Sequence, residues 1–107
     1  MDFSGIEVPG GGKNIAAVYA DRKSLEGKEV VVRGKVVKFT PGVMKKNWLH
    51  LRDGSGAEGT NDLTVTTNAM VQIGDLVVVR GVVSLDKDFG FGYRYDILVE
   101  DAEVTVE

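Results

Sequence analysis

A chain of 107 residues, 43% of them hydrophobic, makes one domain with one core of ordinary size. Cysteine is absent, which excludes disulfides, thiolate metal centres and cysteine nucleophiles while leaving the compartment open. The net charge of −3 weighs mildly against a phosphate-bearing partner, and no apolar run reaches the length of a membrane span.

The opening stretch, MDFSGIEVPGGGK, lacks the basic start and apolar run of a signal peptide, so the chain reads as soluble. Residues 1–12 end in PGGG, a composition expected to give a flexible lead-in or a linker remnant. Residues 13–107 are expected to form the domain proper. In KNIAAVYADRKSLEGK, Ile15, Val18, Tyr19 and Leu25 recur at helical spacing. Asn14 is a usable N-cap and Gly27 a left-handed stop, which predicts a helix over about 14–25.

Beyond Gly27 the chain turns to valine-rich runs punctuated by turn residues, the pattern of a small all-β domain. Five strands are expected, at about 28–39, 46–52, 62–67, 75–85 and 93–106, the last interrupted. VVVRGKVV at 30–37 returns as VVVRGVVS at 77–84, and the segments between do not match, which excludes a solenoid. Glycine weakens a strand unless the strand must bend sharply, so Gly34 and Gly81 mark bulges where two long strands turn the corner of a closed sheet.

The second and third strands alternate. In NWLHLRD, Leu49 and Leu51 point inward, with Trp48, His50 and Arg52 on the other side; in DLTVTT, Leu63 and Val65 point inward and Thr64 and Thr66 outward. DGSG at 53–56 begins the turn between them. If these strands pair, their outer faces form one panel carrying an indole, an imidazole, a guanidinium and two hydroxyls.

A bent strand with VRG, then WLHLRDGSG, a third strand, and GDLVVVRG opening a fourth is similar to the OB-fold, a five-stranded Greek-key barrel. The stretch WLHLRDGSG resembles the F-x-x-L-R-D-x-[ST]-G segment of anticodon-binding OB domains in aminoacyl-tRNA synthetases. That resemblance implies a base-stacking role for Trp48 and a phosphate or base role for Arg52. GKVVKFTPGVMKKNWLHLRDGSG, NDLTVTT and LDKDFGFGYRYDILVEDA also resemble small OB domains of bacterial, often exported, proteins, so export is implied if this chain is a fragment. NAMVQIG at 68–74 is too short for the helix that usually joins strands three and four, so the N-terminal helix is expected to plug the barrel instead.

OB barrels bind extended polymers across strands two and three, flanked by the loops between strands one and two and between four and five. Here those loops are FTPGVMKKNW and LDKDFGFGYRY. Phe39, Trp48, Phe89, Phe91, Tyr93 and Tyr95 are candidate stacking platforms, about half of them expected in the core and Trp48, Phe91 and Tyr93 expected exposed. Lys38, Lys45, Lys46 and Arg52, in an acid-free basic stretch from Val30 to Arg52, and Arg94 of the loop between strands four and five are candidate phosphate contacts. The candidate site is therefore Lys38, Phe39, Lys45, Lys46, Trp48, His50, Arg52, Thr64, Thr66, Phe91, Tyr93 and Arg94.

Catalysis is not expected. His50 is the lone histidine on a strand flanked by leucines, and no nucleophile, carboxylate dyad or metal cluster stands out. Asp86 and Asp88 lack the later ligands of a calcium loop, and GGGK lacks the glycine and hydroxyl of a phosphate loop. No cofactor or metal is expected. The expected function is a noncatalytic module for single-stranded nucleic acid with low sequence preference. The alternative is a bacterial envelope-associated adaptor using the same face for a protein, saccharide or small ligand.

Overall fold

A computed structural model describes all residues from Met1 to Glu107. Helix α1 (Ile15–Ala20) and a single turn α2 (Arg22–Leu25) precede five strands: β1 (Glu29–Val43), β2 (Lys46–Arg52), β3 (Leu63–Thr67), β4 (Leu76–Asp88) and β5 (Arg94–Val106). The expected single helix breaks at Asp21, whose φ of −100° and ψ of 12° leave the helical region. Its N–H closes α1 on Ala17 O while its own carbonyl accepts from Ser24 and Leu25. Asn14 caps α1 as expected, its side chain accepting from Ala17 N.

The strands close into a barrel in the order β1-β2-β3-β5-β4, with β3 parallel to β5 and every other pair antiparallel. This is an all-β, OB-like barrel. Strand β1 serves two neighbours: Glu29–Lys35 pair with β4, and from Lys35 onward the strand pairs with β2. The consecutive valines resolve into alternation, with Val30, Val32 and Val36 buried and Val31 and Val37 half-buried on the outside. Ile15 and Val18 of α1 are fully buried in the barrel core beside Leu49, Leu51, Val65 and Val99, so the N-terminal helix plugs the barrel. Residues 68–75 form no helix; Val71 alone enters the core from this connection. No helix is long and apolar enough to cross a membrane.

The two strand glycines serve close approach. Gly81 sits at the register shift between Arg80 and Val82, where a Cβ would stand 2.7 Å from Val99 Cγ1 and 2.9 Å from Glu100 O. At Gly34 the strand changes partner with no bulge; the shift falls later, between Val36 and Lys38, and a Cβ would meet Arg52 O at 3.1 Å. Overpacking of this kind costs about 1–3 kcal/mol. Gly81→Ala is thus expected to lose about 2 kcal/mol in urea unfolding. Gly34→Ala should lose less, and the reverse order would refute this reading of the corners.

Residues 1–12, expected to be a flexible lead-in, lie against the barrel. Lys13 N donates to Val31 O, and Gly12 packs so tightly that a Cβ would stand 2.4 Å from that same oxygen. Upstream, the Phe3 ring covers the Arg52 guanidinium at 4.9 Å.

Candidate nucleic-acid interface

The β1–β2 connection, expected as a loop, is a hairpin. Pro41 and Gly42 fall in an irregularity of β1, where a missing N–H breaks no ladder bond, and pairing resumes at Val43 with Lys46. The turn is made by Met44 (φ 52°) and Lys45 (φ 64°), successive left-handed residues as in a type I′ hairpin, although neither is glycine. The β4–β5 hairpin ends in Gly90, Phe91 and Gly92, all at positive φ (79°, 55° and 82°), closed by Phe89 N to Tyr93 O and Tyr93 N to Gly90 O.

Trp48 lies between these hairpins and is 5% exposed, against the expectation of an open stacking platform. Its outward position in the β2 alternation is as expected, but Tyr95 stacks on the indole at 5.3 Å and Phe89 meets it edge-on at 5.4 Å. The indole N–H donates to Val43 O at 2.8 Å, tying the tip-side end of β1 to the same cluster. Burial, with a lesser effect of Tyr93, raises the Tyr95 phenol above its ordinary value. Trp48 is a clasp between two hairpins, its ring packed by Tyr95 and Phe89.

The rest of the expected panel is also largely engaged. Thr64 and Thr66 are buried, contrary to expectation; the Thr66 hydroxyl accepts from Asp101 N across the irregular β3–β5 pairing. Phe39 packs half-buried against the core. Lys46 pairs with Asp101 at 3.3 Å, and His50 Nδ1 lies 2.7 Å from Asp62 Oδ1. The Asp62 carbonyl in turn accepts from the Tyr19 hydroxyl, whose pKa is raised by burial first and by Asp62 and Asp96 next. Arg52 is half-buried beneath Phe3.

What remains open lies mostly on the hairpin tips, with Lys38 further back on β1 opposite His50. Phe91 is 100% exposed and Tyr93 46%, both as expected, with Met44 beside Lys45 on the other tip. Lys38, Lys45 and Arg94 are exposed and join none of the molecule's ion pairs. Met44 and Phe3 escaped the sequence reading, since neither an isolated methionine nor a residue in a glycine-rich lead carries a periodic signal. No three His, Asp or Glu side chains converge as metal ligands.

A comparison with protein-family models returns no match, and neither does a comparison with curated protein sequences. Solved structures of this fold do match. A protein described as an aspartyl-tRNA synthetase from Leishmania major Friedlin aligns over 99% of this chain with a TM-score of 0.65 at 14% identity. The chain spans only 21% of that protein's length. OBody AM3L09, solved bound to hen egg-white lysozyme, aligns over 78% of this chain and 84% of its own, with a TM-score of 0.56 at 21% identity. OBody AM2EP06, bound to the same protein, matches with a TM-score of 0.56 at 22% identity, over 78% of this chain and 82% of its own. At such identities the likeness is one of fold: this chain is an OB-like barrel.

Proposed function

We propose that the protein is a noncatalytic binding module for single-stranded nucleic acid, engaging it through the tips of the β1–β2 and β4–β5 hairpins. The observation that carries this reading is Phe91. A bulky residue at φ 55° is a conformational outlier, and here it holds an aromatic ring wholly in solvent between two glycines. Tyr93 and Arg94 follow it, and Lys45 and Lys38 supply unpaired cations from β1 and its turn. Exposed rings accept any base, which gives low sequence preference. The match to part of an aspartyl-tRNA synthetase supports the same reading. His50 is engaged by Asp62, and no nucleophile bonded to it makes a catalytic pair.

Titration of a fluorescent oligothymidylate at low and moderate salt tests this. Phe91→Ala is expected to weaken binding by about 1–3 kcal/mol. Neutralising three phosphates at Lys38, Lys45 and Arg94 gives a log–log salt slope of about −2. Absence of binding at tens of micromolar protein in low salt, or indifference to Phe91→Ala, overturns the proposal. A second reading, a protein partner docked on Met44, Phe91 and Tyr93, is favoured by the net charge of −3 and by the lysozyme-bound OBody chains. Its binding would change little with salt.

A further inference from the structure

We propose that residues 1–8 mask a second stretch of polyanion surface, the outer row of Arg33, Lys35 and Arg52, and that single-stranded nucleic acid displaces them to occupy it. This rests on the reading of the chain as a single-strand binder and extends its contact surface from the hairpin tips to the opposite end of β2.

Lys35 and Arg52 are direct partners across β1 and β2, and Arg33 stands two residues along the same outer face. Like charges placed opposite each other disfavour the pairing. A structural site would be expected to neutralise them, yet neither Lys35 nor Arg52 joins an ion pair. Only Arg33 has an anion in direct contact, Glu107, at 2.6 Å and 3.3 Å.

Backbone carbonyls and a ring of the N-terminal segment make the direct contacts to the row, while its Asp2 and Glu7 carboxylates act on Lys35 and Arg33 only from longer range. Lys35 Nζ donates to Asp2 O at 2.6 Å, Arg33 Nη1 donates to Glu7 O at 2.8 Å, and the Phe3 ring lies on Arg52. The Asp2 carboxylate turns to Ser4 N instead. Gly54 shapes the seat, because a Cβ there would stand 3.0 Å from Phe3 O. A ring on a guanidinium and oxygens on cations are the contacts a stacked base and its backbone make, without the phosphate charge. A polyanion taking this place supplies the same contacts and brings negative charge into direct contact with Lys35 and Arg52, which the segment does not.

No backbone–backbone hydrogen bond ties residues 1–8 to the barrel. The turn from Pro9 to Gly12 closes through Gly12 N to Pro9 O, and Lys13 N is fixed to Val31 O, so α1 stays anchored when residues 1–8 lift off. The Arg33–Glu107 pair does not involve residues 1–8.

The test compares the intact chain with one lacking residues 1–8, titrating a fluorescent oligothymidylate over a range of salt. The shortened chain is expected to bind about tenfold tighter at low salt, with a salt slope steeper by about 1.4 for two further phosphates. Arg52→Ala in the shortened chain should remove the gain, and a synthetic peptide of residues 1–8 in excess should reverse it. Equal affinity and slope in the two chains overturn the masking proposal, while a Phe91→Ala loss in the intact chain would leave the hairpin reading standing. Failure of both chains to bind overturns both. Should the shortened chain not fold by circular dichroism, Phe3→Ala in the intact chain carries the comparison: about threefold tighter binding is expected, and unchanged binding refutes the mask.

Discussion

Trp48→Ala is expected to lower folding stability by about 3–5 kcal/mol, the range for deleting a large buried aromatic. The indole is nearly sealed, so truncation leaves a cavity between β2 and the β4–β5 hairpin. Two ring contacts vanish with it, each worth about 0.5–1.5 kcal/mol beyond the area they bury. Val43 O also loses its donor. Trp48→Phe keeps most of the packing and should lose less than half as much. The effect is expected to be local as well as global: with the clasp gone, amides from Leu85 to Tyr95 should exchange faster than those of β1. Trp48 is the only tryptophan, so its emission is a direct probe. It should be blue-shifted, shielded from iodide and little quenched by an oligonucleotide that stacks on Phe91. A loss below about 1 kcal/mol, or strong quenching on binding, would show that the ring is open to ligand after all.

The same residue shows how far the sequence could be read. Alternation in NWLHLRD correctly puts Trp48 opposite Leu49 and Leu51, because period two decides which side of a sheet a side chain takes. It says nothing of what lies above that side. Phe89 and Tyr95 reach Trp48 from a hairpin some forty residues later, a packing fact no local pattern encodes. Thr64 and Thr66 failed likewise: both are outward in the β3 alternation and yet buried, Thr66 with its hydroxyl taken by Asp101 N of β5. Of the bulges expected at the two strand glycines only that at Gly81 forms, although both glycines stand where strands press together, because a missing Cβ inside a valine run marks close approach as readily as a bulge. Pro41 and Gly42 misled in the other direction, since turn residues also suit a bulge inside a long hairpin. Composition alone predicts a flexible lead-in at residues 1–12. Their attachment depends on Phe3 and backbone carbonyls meeting cations on β1 and β2, partners distant in sequence.

Asp53→Ala is expected to cost about 3 kcal/mol, although DGSG reads in sequence as an ordinary turn. Asp53 Oδ2 accepts from Ile15 N at 2.8 Å, while Oδ1 accepts from the Ser55 N–H and hydroxyl at 3.0 Å and 2.6 Å. Ser55 Oγ then accepts from Ala16 N. With Asn14 serving Ala17 N, the first free amides of α1 are satisfied largely from the end of β2. Loss of the carboxylate leaves the buried Ile15 N–H without an acceptor, at about 1–3 kcal/mol, and removes an anion from a helix start, worth about 0.3–1 kcal/mol. Asp53→Asn retains an acceptor and should lose roughly half as much. Because α1 plugs the barrel with Ile15 and Val18, the damage should spread inward: amide exchange at Ile15 and Ala16 should rise ahead of global unfolding, and the urea midpoint should fall with little change in slope. If the loss stays under about 1 kcal/mol, water must be reaching the Ile15 amide, and the plug is then held by its apolar face rather than from the LRDGSG turn.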